Sequence, residues 1–149
     1  SQHGFNHTID NNVLINALGT FHEWTLPDMR KNVTHNITIN KKPYYCRTRD
    51  FEPNTGIIDY NLFWNHGKPV ALQIDSGDGE ISAAPTWAEY KLDEHSVTAD
   101  PQFVAPSRGD YSVKAGSPAL TLGFKNFPMD QFGKPGYPVP PGFQKARGG

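Results

Sequence analysis

The length, composition and charge of the chain limit what it can be. Its 149 residues suit a single domain. The 14 glycines and 13 prolines predict frequent turns and no long helices. Because 14 basic residues face 15 acidic ones, the sequence offers no basic patch for nucleic acid. No apolar run reaches the roughly 20 residues of a membrane-spanning helix. Neither nucleic acid nor a membrane is therefore a predicted partner.

One pattern of strand and asparagine occurs three times. Segments 9–16, 33–40 and 58–65 align without gaps. Asn12, Asn36 and Asn61 take the same place in them, separated by 24 and then 25 residues. Each segment alternates apolar and polar residues near its end, which is the period of a strand with one buried face. A repeat of this length that holds short strands predicts the coils of a solenoid.

Stacking would place equivalent side chains of successive coils about 4.8 Å apart. The alignment therefore predicts two interior stacks of apolar side chains, namely Val13 with Ile37 and Leu62, and Ile15 with Ile39 and Trp64. Asparagine tolerates the left-handed backbone conformation, so the repeated asparagines suit the corners between strands. We expect their amides to form hydrogen bonds from coil to coil as a ladder.

A fourth coil is predicted at residues 97–103. Asp100 would take the asparagine place and Phe103 the last apolar place. The longer interval before this coil requires an insertion, which we place at residues 66–95. Within it, residues 86–90 have the pattern of a short helix with a capping threonine.

The sequence changes character beyond residue 104. Short segments with glycine and proline replace the repeat, as in the atypical element that closes a solenoid. The last residues have neither a strand nor a helix period and are predicted to be extended. The predicted organisation is β-helix coils over residues 1–104, a C-terminal cap over 105–133 and a Pro/Gly tail over 134–149.

The first coil of a solenoid also needs a cover, because its apolar stack is otherwise exposed. We therefore expect another segment or chain to cover the end that carries Ile9, Val13 and Ile15.

Five motifs occur in the same order in bacterial right-handed β-helix proteins. They are DYNLFWN at 59–65, WAEY at 87–90, DEHSV at 93–97, ADPQF at 99–103 and GDYSVKAGSPAL at 109–120. Through them, residues 9–133 resemble the C-terminal portion of the β-helix glycoside hydrolase family that includes xylanases and α-L-fucosidases. The resemblance implies an all-β fold, namely the last three to four coils of a right-handed parallel β-helix and its cap. These motifs are mainly structural and do not identify a substrate.

The resemblance further implies a secreted or periplasmic carbohydrate-active protein whose partner is a polysaccharide or oligosaccharide. Glycoside hydrolysis is the leading hypothesis. A polysaccharide lyase and a non-catalytic β-helix that binds glycan or serves as a structural module are the alternatives. The resemblance implies no cofactor, and it places the catalytic acids mainly on coils that precede this segment.

Carboxyl groups in the loops between strands are the candidates for chemistry, because glycoside hydrolysis needs two of them. The catalytic candidates are Asp50, Asp75 and Asp78, and the substrate-binding candidates are Trp24, Arg47 and Arg49. A solvated loop residue is the commoner case for each acid taken alone. The two arginines are also the clustered cations that a lyase would need beside an acidic sugar.

The sequence predicts no metal site. Residues 75–80 are acidic but lack the spacing of a calcium-binding loop, because Gly77 and Gly79 stand where oxygen ligands belong. Cys46 is the only cysteine, which excludes a disulfide within the chain and a cysteine-cluster metal site.

Overall fold

The computed structural model describes residues 7–15, 20–22, 31–39, 44–47, 56–70, 72–75, 81–82 and 91–129. In this part the protein is mostly β, with parallel sheets and little helix. The first ten strands are β1 (His7–Asp10), β2 (Val13–Ile15), β3 (Thr20–His22), β4 (Lys31–Thr34), β5 (Ile37–Ile39), β6 (Tyr44–Arg47), β7 (Ile58–Asp59), β8 (Leu62–Trp64), β9 (Leu72–Asp75) and β10 (Ile81–Ser82). The remaining elements are β11 (Val97–Thr98), β12 (Phe103–Ala105), a 3₁₀ turn (Pro106–Arg108), β13 (Asp110–Val113) and α1 (Pro118–Thr121).

Strands one repeat apart pair with each other in parallel. One sheet has the order β1-β4-β7, a second has β2-β5-β8-β11, and a third has β3-β6-β9 with β10 added antiparallel at its end. We call them the first, second and third sheets. Each of the three repeats contributes one strand to every one of these sheets. β12 and β13 form a separate antiparallel pair.

The register of the second sheet confirms the alignment of the three repeats. Val13 pairs with Ile37, which pairs with Leu62, and Ile15, Ile39 and Trp64 form the matching row. In the first sheet Ile9, Val33 and Ile58 are likewise in register. The asparagine spacing therefore determines which strands meet.

The predicted corner conformation belongs to a different residue. Asn11, His35 and Tyr60 have φ values of 57°, 55° and 58°, so the residue before each repeated asparagine is left-handed. The repeated asparagines themselves are not among the positive-φ residues. Their amides instead form the predicted ladder, with Asn12 Nδ2 donating to Asn36 Oδ1 at 3.1 Å and Asn36 Nδ2 donating to Asn61 Oδ1 at 3.1 Å.

The predicted register of the fourth coil is wrong. Val97 pairs with Leu62, so Ser96 rather than Asp100 follows Asn61 in the ladder. Asp100 instead accepts a hydrogen bond from the backbone N–H of Gln102 at 2.8 Å, in a turn that follows β11. The sequence pattern was misleading because a serine occupies the asparagine place, and an acidic residue lies four positions further along.

The apolar rows of the second sheet pack against the C-terminal segment. Ile37, Ile39 and Leu62 form a buried cluster with Val113, Ala119 and Phe124. The opposite face of the same sheet is buried as well, since Thr38 is 6% and Phe63 is 3% exposed. The sequence predicts these rows to face the interior of a solenoid; among the described residues, the side chains packed against them include Phe103 and several from Val113 onward.

The C-terminal segment reaches back to the first repeat. Asn11 Nδ2 donates to the carbonyl oxygen of Lys125 at 2.9 Å, and the N–H of Lys125 donates to Asn11 Oδ1 at 2.6 Å. Asn126 makes a similar pair of bonds to the backbone of Val113, both at 2.8 Å. Residues 113–127, which we call the strap, therefore extend along the second sheet to its first repeat. The predicted helix at 86–90 and the predicted tail at 134–149 lie outside the described residues.

Candidate functional site

Two of the six predicted site residues are neighbours in the third sheet. Arg47 ends β6, Asp75 ends β9, and their backbones are paired in register. His22, the last residue of β3, pairs with Arg47 from the other side. The other predicted site residues, Trp24, Arg49, Asp50 and Asp78, lie outside the described residues.

The backbone register of the third sheet forms three rows of residues. Two rows contain mostly polar residue types, Thr20 with Tyr45 and Gln73, and His22 with Arg47 and Asp75. The row between them consists of Phe21, Cys46 and Ile74. Neighbouring strands lie about 4.8 Å apart. The register thus aligns a histidine, an arginine and an aspartate at the ends of three neighbouring strands.

A second cluster of titratable residues lies where the first sheet meets its corners. Asp10, Thr34 and Asp59 occupy one register row of that sheet. His35 and Tyr60 follow Thr34 and Asp59 directly, in the left-handed conformation. Sequence reasoning missed this cluster, although the aligned repeats already place Asp10 and Asp59 at equivalent positions.

Asp10 is held as an anion by its neighbours. Its Oδ1 accepts a hydrogen bond from Thr34 Oγ1 at 2.7 Å and lies 2.6 Å from His35 Nδ1. The bond from Thr34 is the largest influence on its pKa, and although burial opposes it, His35 and Lys125 also favour the charged form. The pKa of Asp10 is therefore lowered.

Asp59 holds His95 in the same way. Oδ2 of Asp59 lies 2.6 Å from His95 Nδ1, and Oδ1 accepts the backbone N–H of His95 at 2.7 Å. Burial tends to raise the pKa of Asp59, but the hydrogen bonds from His95 and from the Tyr60 backbone outweigh it and lower the pKa. The pKa of His95 is raised, chiefly by its side-chain hydrogen bond to Asp59.

The rings of this cluster form a stack. Tyr60 lies between the two imidazoles, with its ring centroid 5.9 Å from that of His35 and 5.0 Å from that of His95. The two histidines are thus on opposite sides of the tyrosine and cannot share one metal ion. In the described part of the chain, no group of three or more His, Cys, Asp or Glu residues could hold a metal.

Asp10 and Asp59 do not form a hydrolytic pair. They lie two strands apart, about 9.6 Å, which is near the carboxyl separation of inverting glycosidases. A glycosidase needs one carboxyl group with a raised pKa as its proton donor. Both carboxyl groups here have lowered pKa values. Neither carboxyl group therefore has the raised pKa of a proton donor, and each instead lies 2.6 Å from an imidazole nitrogen, that of His35 or of His95.

No protein family model, curated protein or solved structure matches the chain. Among the described residues, no helix has both the length and the apolar character that crossing a membrane demands.

Proposed function

We propose that the chain is the C-terminal part of a right-handed parallel β-helix glycoside hydrolase that acts on a complex polysaccharide outside the cytoplasm. The pairing of strands one repeat apart in three sheets supports the β-helix, because each sheet then forms one side of a continuous coil. Parallel strands joined by a crossover are right-handed in about 98% of proteins, which supports the hand. The asparagine ladder supports the stacking of successive coils.

The register row of His22, Arg47 and Asp75 is the observation that carries the functional proposal. A carboxylate accepts hydrogen bonds from sugar hydroxyl groups, and a guanidinium donates them in a fixed geometry. Asp75 would supply one carboxyl group of the site. The strand positions beside Asp75 are taken by Arg47 and Ile81, so the second carboxyl group would come from outside this row. Asp50, Asp78 or a residue of another coil would provide it.

Two alternatives use the same register row. In a lyase, Arg47 would bind the carboxylate of an acidic sugar while another residue removes a proton. In a non-catalytic module, the residues of this row would bind glycan without cleaving it. The second alternative has a specific observation in its favour, because the row contains a single carboxylate residue among the described strands.

Polysaccharide binding and cleavage by the full chain distinguish these functions. The chain is run in native gels that contain neutral polysaccharides or polygalacturonate, and it is incubated with the same polymers. Released reducing ends report hydrolysis, and the absorbance of unsaturated uronates reports a lyase. Asp50→Asn, Asp75→Asn, Asp78→Asn and Arg47→Met are compared with Glu94→Gln, which changes an exposed acid outside the third sheet.

Each outcome favours a different function. Reducing ends that disappear in one of the aspartate variants, but not in Glu94→Gln, support the hydrolase. Unsaturated products support the lyase. Slower migration in the polysaccharide gels without cleavage supports the binding module, provided that Arg47→Met weakens the affinity for the polysaccharide at least tenfold. If no polysaccharide retards the folded chain and none is cleaved, the carbohydrate function is contradicted.

A further inference from the structure

The asparagine ladder has a direction. Asn36 Oδ1 accepts both the backbone N–H and the Nδ2 of Asn12, at 3.0 and 3.1 Å. Asn61 Oδ1 accepts the same two groups of Asn36, again at 3.0 and 3.1 Å. Every rung therefore donates two hydrogen bonds towards the C-terminal repeats and presents an acceptor towards the N-terminal side.

The C-terminal end of the ladder is closed by two residues. The backbone N–H of Asn61 donates to Ser96 Oγ at 2.7 Å, and its Nδ2 donates to Asp93 Oδ1 at 2.9 Å. Ser96 Oγ donates to Asp93 Oδ1 at 2.6 Å. A serine and an aspartate thus share the acceptor role of a single asparagine oxygen, and the series of asparagine rungs ends there.

Within the part of the chain that the structure describes, the N-terminal end of the ladder is open. No donor among the described residues bonds to Asn12 Oδ1, although this atom occupies the acceptor place that is filled in Asn36 and Asn61. The second hydrogen bond of the Asn12 amide also differs. Nδ2 of Asn36 and of Asn61 donates to a carbonyl oxygen of the preceding repeat, that of Ile9 and of Val33, both at 2.9 Å. In Asn12 this amide donates to Asp10 of its own repeat, at 2.9 Å.

Among the described strands, the three sheets end on the same repeat. β1, β2 and β3 are each the edge strand of their sheet there, and all three belong to the first repeat. At the other end the third sheet is finished by the antiparallel strand β10, and the N–H of Asp93 donates to the carbonyl oxygen of Ile58 at 2.7 Å. An edge strand presents unpaired N–H and C=O groups that favour the addition of another strand.

We propose that this end is a docking surface for one further strand–asparagine–strand segment, whose asparagine donates its backbone N–H and its Nδ2 to Asn12 Oδ1. The incoming strands would extend the first and second sheets in parallel. A second copy of the chain does not fit as well, because its own ladder offers an acceptor at Asn12 and a closed end at Asp93 and Ser96. This inference is independent of the proposed carbohydrate function.

An inserted repeat tests the proposal in the full chain. A second copy of residues 7–30 is inserted before His7, and a matched variant carries Asn12→Ala in the inserted copy only. Because solenoid stability grows with each nearest-neighbour interface, the first insertion should raise Tm by about 4 °C or more. The matched variant should show less than half of this gain. Equal gains in the two variants, or no gain in either, would overturn the proposal.

A second experiment measures the affinity of the unmodified chain for a labelled peptide of residues 31–40. We expect this peptide to bind at least tenfold more tightly than the same peptide with Asn36→Ala. Equal binding, or none, would overturn the proposed hydrogen bonds even if the inserted repeat fails to fold. Light scattering of the chain alone measures whether a second copy occupies this docking surface. A monomer supports the proposal. A dimer that the peptide dissociates would overturn it, because a second copy would then be the occupant.

Discussion

Asp59 binds His95 through both the backbone and the ring. Oδ1 accepts the N–H of His95 at 2.7 Å, and Oδ2 lies 2.6 Å from Nδ1. The two residues are 36 positions apart, and His95 lies at the end of the segment that connects the third repeat to β11. His95 directly precedes Ser96, which closes the asparagine ladder. This pair therefore fixes where the chain rejoins the stacked strands.

The Asp59–His95 pair should make stability depend on pH. The pKa of His95 is raised, so its contribution is complete below the unfolded value of about 6.5 and is lost as pH rises through the folded pKa. The pKa of Asp59 is lowered from 3.8, so its contribution is present above that value and is lost as pH falls through the folded pKa. The pair should stabilise the fold most between about pH 4 and 6.5.

Thermal melts of the protein and of His95→Ala across this pH range measure the effect. The difference in Tm should be largest at about pH 5 and should shrink above about pH 7 and below about pH 3.5. His66→Asn is the matched control, because His66 is exposed, has a φ of 49° that asparagine tolerates, and makes no ion pair with a described residue. A pH-independent difference for His95→Ala would contradict an ionic contribution from the pair.

Removal of the central rung of the ladder should be strongly destabilising. Asn36 is 2% exposed; its oxygen accepts two hydrogen bonds from Asn12, and its amide donates to Ile9 and Asn61. Asn36→Ala leaves buried groups without partners, so we expect a loss of about 3 kcal/mol in the free energy of unfolding. Urea denaturation measures it.

Asn65→Ala is the control for this substitution. The side chain of Asn65 makes one local hydrogen bond, to the carbonyl oxygen of Pro69 at 3.0 Å, and it is only partly buried. Its loss should cost less than about 1 kcal/mol. Similar losses in the two variants would mean that the ladder is not a principal source of stability.

The repeated segments made the pairing of strands predictable from the sequence. Asn12, Asn36 and Asn61 mark equivalent places, and the register of the strands beside them follows directly. The register of β11 was not predictable in this way. There, Ser96 and Asp93 each accept one of the two hydrogen bonds that a single asparagine oxygen accepts in the earlier repeats. No residue pattern distinguishes such a substitute from an ordinary polar loop.

The faces of the strands and the site were harder to predict. Left-handed residues such as His35 interrupt the alternation of side chains between the first and second sheets. Periodicity alone therefore does not predict which part of the chain packs against each apolar row. The strap that covers the second sheet is distant in sequence from the strands it contacts. Arg47 and Asp75 were predicted as loop residues, whereas each is the last residue of a strand. Their pairing depends on the connections between repeats, which carry no repeated motif.

The burial of Phe124 predicts that the strap is needed to cover the second sheet. Its side chain is 2% exposed and packs in the cluster that contains Ile37 and Leu62. Phe124→Ala should lower the free energy of unfolding by about 3–5 kcal/mol and increase the binding of a hydrophobic dye to the exposed sheet. Val104→Ala, at a residue that is 48% exposed, should change stability by no more than about 0.5 kcal/mol. Equal effects would show that the strap is not required to bury the sheet.

Gly123 should be the position where the strap tolerates a side chain least. Its φ is 103°, and a Cβ atom there would lie 2.9 Å from Cδ2 of His35. Gly123→Ala therefore combines backbone strain with a clash against a ring that Asp10 and Tyr60 hold in place, and we expect a loss of about 1–3 kcal/mol. Hydrogen exchange should show faster exchange of the Lys125 amide, because its bond to Asn11 depends on the same docking.

Gly116→Ala is the matched control on the same segment. An added Cβ there would meet its nearest neighbour, Oε1 of Gln102, at 3.6 Å, and Gly116 has no positive φ. Alanine at this site restricts the unfolded chain without straining the folded one, so stability should be unchanged or slightly increased. If Gly123→Ala behaves like Gly116→Ala and leaves the Lys125 amide protected, the close approach to His35 does not hold the strap against the first repeats.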